Sequence, residues 1–78
     1  MNGVQCRMAR TATGLGIRDL AARAGIAAST LQRIERDEDV RVSSVRAVRE
    51  ALEAVGVIFL EEDERHGPGI RLRKGVVR

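Results

Sequence analysis

The side chains here that could do chemistry on a partner are mostly arginines, and the most telling sit in one short segment, Ala28-Ser29-Thr30-Leu31-Gln32-Arg33. Arg33 carries a forked set of donors, Gln32 a paired donor and acceptor, Ser29 a hydroxyl and Ala28 a small apolar surface. The bland alternatives are a solvated Gln32 and an Arg33 paired with Asp37. Catalytic constellations are missing by contrast. His66 stands alone beside Gly67 in a charged turn, and there is no nucleophile–base pairing, phosphate-binding glycine loop or dinucleotide motif. One cysteine and one histidine leave no internal disulfide and no protein-only metal site. The run Glu61-Glu62-Asp63-Glu64 reads as a solvated connection rather than a cation site. The expectation is a binding protein, not an enzyme, with no metal and no cofactor.

Side chains of this kind need a frame. At 78 residues the chain has room for one domain, and 44% hydrophobic content is too high for disorder. The core must be small, with Phe59 as its only aromatic, and chains of this size are marginal alone. With disulfides and metals excluded, a partner subunit is the remaining support. The longest apolar run, Ala54 to Leu60, is broken by Gly56 and falls far short of the roughly 20 residues of a membrane span. The N-terminus lacks a signal-like apolar stretch. A cytoplasmic protein that does not enter membranes is expected, with Cys6 as a small, reduced apolar residue.

Charge is partitioned. Residues 1–36 carry six arginines against Asp19 and Glu35, a balance of +4. Residues 37–64 carry nine acids against Arg41, Arg46 and Arg49, a balance of −6. Residues 65–78 carry five cations and no acid. A basic first half points to a polyanion partner.

Periodicity supplies the elements. Val4, Met8 and Ala12 form an i, i+4, i+8 stripe over a first helix, 4–13, ended by Gly14. Ile17, Leu20, Ala21 and Ala24 mark a second over 17–24, ended by Gly25. Leu31 and Ile34 mark a third over 28–36. Asp37-Glu38-Asp39 form an acidic loop. Ser43 or Ser44 is the expected N-cap of a fourth helix carrying Val45, Val48, Leu52 and Val55, and stopped by Gly56. Val57-Ile58-Phe59-Leu60 then reads as a strand, Gly67-Pro68-Gly69 as a turn, and Ile70-Arg71-Leu72-Arg73 as a half-buried strand. The expected fold is mostly α: four short helices with a helix-turn-helix, followed by a C-terminal two-stranded antiparallel β element. Residues 1–56 form the helix-turn-helix part and 57–78 a dimerisation tail of the same compact unit. Because Val57–Leu60 is apolar on both faces, a second surface is expected to cover it.

Two short helices around Gly25, with small Ala21 permitting close approach and Ile26 and Leu31 filling the space between, follow the residue logic of a helix-turn-helix. From about residue 6 to residue 56 the chain resembles the lambda-repressor-like, Cro/Xre-type helix-turn-helix family. The resemblance is carried by Arg10, Gly14-Leu15, Leu20-Ala21, Gly25-Ile26, Ser29-Thr30-Leu31, Arg33-Ile34-Glu35 and the spacing to Leu52. It implies base contacts by Ala28, Ser29, Gln32 and Arg33, and the chemistry fits: Arg33 can donate a bidentate pair to guanine O6 and N7, Gln32 can pair with adenine N6 and N7, Ser29 can contact a base or a phosphate, and Ala28 can pack on a thymine methyl. Arg18, Thr30, Arg36 and Arg41 are candidates for phosphate contact, and the resemblance implies a structural ion pair between Arg10 and Glu35. The tail is similar to the strand extension through which some Cro-like proteins dimerise, which assigns Val57, Ile58, Phe59, Leu60, Ile70 and Leu72 to a dimer interface. Three positions depart from the family pattern: Gly16 and Ile17 replace the usual hydroxyl cap and glutamine of the second helix, and Ala27 replaces the cap of the third.

The function expected is that of a homodimeric, sequence-specific DNA-binding transcriptional regulator. Its third helices would read a pseudo-palindromic operator with half-sites about 10 bp apart. The alternative is an antitoxin-like or co-regulator module whose β tail binds another regulatory protein.

Overall fold

A computed structural model describes residues 1–76; Arg78, counted above in the basic tail, lies outside the described residues. Four helices precede a hairpin: α1 (Gly3–Thr13), α2 (Ile17–Ala24), α3 (Ala28–Glu35), α4 (Val42–Ala54), β1 (Val57–Leu60) and β2 (Gly69–Leu72).

Helix α1 starts on a reciprocal cap. The Asn2 side chain accepts from the Gln5 backbone N–H, and the Gln5 side chain accepts from the Asn2 N–H. Its buried face is not the predicted stripe. Val4 and Met8 are 47% and 37% exposed, whereas Gln5, Cys6, Ala9 and Thr13 turn inward. Small volume and satisfied polarity decide this. Gly3 lies so close to α3 that a Cβ there would stand 2.5 Å from the Glu35 carbonyl oxygen. Cys6 and Ala9 continue this close approach, both with no exposed surface. Gln5 and Thr13 tolerate burial because their polar atoms are bonded. Gln5 Nε2 donates to the Leu60 and Gly69 carbonyls at 3.1 and 3.0 Å, and Thr13 Oγ1 donates to the Ala9 carbonyl at 2.8 Å.

The other helical stripes fall as expected. Leu20 and Ala21 of α2, Leu31 and Ile34 of α3, and Val48 and Leu52 of α4 form the core, joined by Val57 and Phe59 from the sheet. The start of α4 differs from expectation. Its cap is Arg41, and Ser43 and Ser44 already lie within the first turn. Val40, packed against the core, fixes the point of entry, so the helix begins directly behind it.

The strands pair antiparallel with Val57 opposite Leu72 and Phe59 opposite Ile70. Alternation divides β1. Val57 and Phe59 point onto the chain's own helices, while Ile58 and Leu60 face outward at 40% and 44% exposure. The chain's own α1 and α4 cover one face of β1, and the expected second surface concerns only the outer face, at Ile58 and Leu60. Val57 and Phe59, assigned above to a dimer interface, are core residues, and Ile70 and Leu72 are half-buried against the same core. Arg49 of α4 lays its guanidinium over the Phe59 ring, 4.9 Å from the centroid. The long connection is closed by Asp63, whose carboxylate accepts from the backbone N–H groups of Arg65 and His66. These bonds hold its carboxyl below the usual range.

Candidate nucleic-acid interface

The turn between α2 and α3 is set by Gly25, which adopts the left-handed conformation (φ 72°) that only glycine enters without strain. Its N–H bonds back to the Ala22 carbonyl, and the next N–H, from Ile26, bonds to that of Ala21 at 3.0 Å. Ala21 is buried where the helices meet, and Leu31 and Ile34 anchor the inner face of α3. The opposite face is thereby fixed outward. Ser29, Gln32, Arg33 and Arg36 are all exposed and recur at i, i+3, i+4 and i+7, which puts them on one side of α3. Ala28 and Thr30 are half-buried at its first turn.

Helix ends add to this surface. The N-caps of α2, α3 and α4 are Gly16, Ala27 and Arg41, and none makes a side-chain cap bond. Uncapped amides at a helix start carry partial positive charge and donate readily to phosphate oxygens. The starts of α3 and α4 border one groove of ≈ 530 Å³, lined by Ala27, Thr30, Arg33, Arg41 and Ser44 among others. Arg18 is exposed in the first turn of α2, and Arg41 is exposed beside Thr30 at the groove. The side-chain capping that these helices lack is complete at α1.

Two of the arginines are engaged within the chain. Arg33 Nη2 donates to the Asp39 carbonyl at 2.8 Å, and its Nε lies 3.5 Å from Glu38 Oε1. Arg36 Nε donates to the other oxygen of Glu38. Hydrogen bonding from Arg36 is the main reason the Glu38 carboxyl is held below its usual range. The acid beside Arg33 is thus Glu38 and not Asp37. Asp37 turns away, with a left-handed backbone (φ 55°), and accepts from the Gly3 N–H at 2.9 Å. The sequence offered no signal for this, because three consecutive acids look alike until the backbone direction is known.

Behind α3, Arg10 and Glu35 meet in a two-pronged pair: Nε to Oε2 at 2.7 Å and Nη2 to Oε1 at 3.2 Å. Cys6 Sγ lies 3.9 Å from Glu35 Oε2. Burial, reinforced by the Glu35 charge, pushes the Cys6 thiol up to about 12. Sequence reasoning missed this third member of the cluster. The only available signal was the i, i+4 spacing of Cys6 and Arg10. Ile58 and Leu60 remain the exposed apolar residues of the sheet, and the candidate dimer residues do not form one outward patch.

Four helices packed on one core, a glycine turn between α2 and α3 and an outward polar face on α3 define a helix-turn-helix protein, a class of domain that binds DNA. Residues 3–66 match the model of the helix-turn-helix domain family, and the chain belongs to that family, a match consistent with the Cro/Xre type. No curated protein matches the chain. Among the described residues, no helix is long and apolar enough to cross a membrane.

Proposed function

We propose that the protein is a homodimeric, sequence-specific transcriptional regulator of the Cro/Xre type, acting on double-stranded DNA in the cytoplasm. The observation that carries this reading is the exposed row Ser29, Gln32, Arg33 and Arg36 on the face of α3 opposite its core residues. In it, α3 lies in the major groove, with Gln32, Arg33, Ser29 and Ala28 toward base edges. Arg18, Thr30, Arg36 and Arg41, together with the open starts of α2, α3 and α4, grip the backbone.

Dimerisation rests on Ile58 and Leu60, which face outward, and on the free edges of the two-stranded sheet. A symmetric pair of subunits would place two α3 helices on half-sites about one helical turn apart. Catalysis has no part in the proposal. His66 sits in an exposed turn 3.1 Å from Asp63, and Cys6 is enclosed beside Glu35.

The test is selection of duplexes from a random library, followed by titration of the winners with the wild type, Arg33→Ala and Gln32→Ala. Enrichment of a two-fold symmetric sequence, weakened at defined positions by each variant, is the expected result. Equal binding to every duplex by all three proteins would remove the base-reading roles. A second reading, a module that binds another regulatory protein, draws on the same exposed Ile58 and Leu60. A monomer in sedimentation equilibrium would favour it.

A further inference from the structure

The loop after α3 brings one carboxylate onto two arginines of the candidate DNA face. Glu38 presents Oε1 to Arg33 and Oε2 to Arg36, and the neighbouring Asp39 carbonyl takes a second donor of Arg33. The loop backbone is built for this. The Asp37 N–H bonds to the Ile34 carbonyl and the Glu38 N–H to the Arg33 carbonyl, both at 3.0 Å. Asp37, left-handed and bonded to the Gly3 N–H, ties the loop to the start of α1. The carboxylate is therefore held on a folded platform and is not on a free tether.

A guanidinium directs its donors to a carboxylate as it does to a phosphate, in fork geometry. The two oxygens of Glu38 offer these arginines acceptors of the kind that a guanine edge offers Arg33 and a backbone phosphate offers Arg36. DNA must displace this internal anion before Arg33 and Arg36 can reach it. The carboxylate then stands beside a strand of like charge. We propose that Glu38 is an internal competitor for DNA: in the free protein it occupies Arg33, assigned above to a base edge, and Arg36, assigned to the backbone, and it sets the affinity of the interface below what its cations would otherwise give. The inference rests on the DNA-binding reading above and names the residue that limits it.

Both ion pairs are exposed, so the effect is moderate and sensitive to salt. Glu38→Gln keeps the shape and removes the charge. It is expected to tighten binding to a fluorescent random-sequence duplex about three- to tenfold near 0.1 M salt. The decisive comparison repeats Glu38→Gln in an Arg33→Ala/Arg36→Ala background. Competition through these two arginines predicts that the gain disappears there. A gain that persists would mean that the lost charge acts at long range, and the proposal would be overturned. No gain in the wild-type background would overturn it too. The DNA reading is judged separately by the wild-type titration: absence of binding at low salt would remove both, while wild-type binding without a Glu38→Gln gain removes only this inference. Thermal melts of each variant confirm that the folded state is retained.

Discussion

The Arg10 guanidinium holds the Glu35 carboxylate through two hydrogen bonds, and the pair locks α1 to the C-terminal end of the helix assigned to DNA. The partners are unequally buried, with side chains 23% and 8% exposed. The consequence is asymmetric. Arg10→Ala strands a nearly enclosed carboxylate beside Cys6 and is expected to cost about 3 kcal/mol. Glu35→Ala leaves an arginine that can turn to water and should cost less. An Arg10→Met/Glu35→Leu double variant should be more stable than Arg10→Ala alone. Urea unfolding of the three variants checks the order. A double variant as unstable as Arg10→Ala would show that the site depends on more than charge pairing.

The raised Cys6 thiol makes stability depend on alkaline pH. The unfolded thiol ionises near its ordinary value of 9.0, while the native one holds its proton to about 12. Between these values the native state binds more protons than the unfolded state, so stability is full below pH 9 and falls as pH rises toward 12. The loss is on the order of a few kcal/mol. Cys6→Ala removes this component, and the difference between the two stability–pH curves isolates it from other titrating groups. Parallel curves for wild type and variant across pH 9–11 would refute it.

Gly3 is fixed by close approach. A methyl group there would meet the Glu35 carbonyl carbon and oxygen at 2.8 and 2.5 Å, and backbone yields poorly. Gly3→Ala should therefore destabilise by about 1–3 kcal/mol, although alanine is the better helix former. A thermal melt that shows stabilisation would indicate that α1 slides without penalty.

The two faces of β1 should separate under mutation. Phe59→Ala empties a core position and is expected to cost about 3–5 kcal/mol in unfolding experiments. Ile58→Lys with Leu60→Lys touches only the outer face. It should leave the far-ultraviolet spectrum unchanged while lowering the mass measured by sedimentation equilibrium from dimer to monomer. An unaltered dimer mass would move the subunit contact elsewhere.

On DNA, Arg33 and Arg18 should behave differently. Arg33→Ala is expected to relax preference at one base-pair position by about 1–3 kcal/mol. Arg18→Ala should weaken all duplexes alike and lower the slope of log K against log salt by about one. Titrations at several salt concentrations distinguish the two.

Much of the fold was legible because helix punctuation is local. Gly14 and Gly25 end α1 and α2 in left-handed turns, and the helical recurrence of Leu20, Ala21, Leu31, Ile34, Val48 and Leu52 identified the inner faces of α2, α3 and α4. The first helix misled because its stripe was chosen by hydrophobicity. Val4 and Met8 are more apolar than Gln5 and Thr13, yet the latter pair goes inside with bonded polar groups.

The helical order, the glycine turn and the row of polar side chains on α3 are encoded locally, since each follows from residue type and spacing within a few turns of chain. Long-range packing set the remainder. It chose which side of α1 is inner by how closely α1 can approach α3 at Gly3. It divided Val57–Leu60 into a core face and an outer face according to where α1 and α4 lie. It also directed Asp37 to Gly3 and Glu38 to Arg33 and Arg36, a distinction among three adjacent acids that depends on one left-handed residue and on what stands within reach of it. These outcomes rest on distances between segments far apart in the chain, which no local pattern encodes.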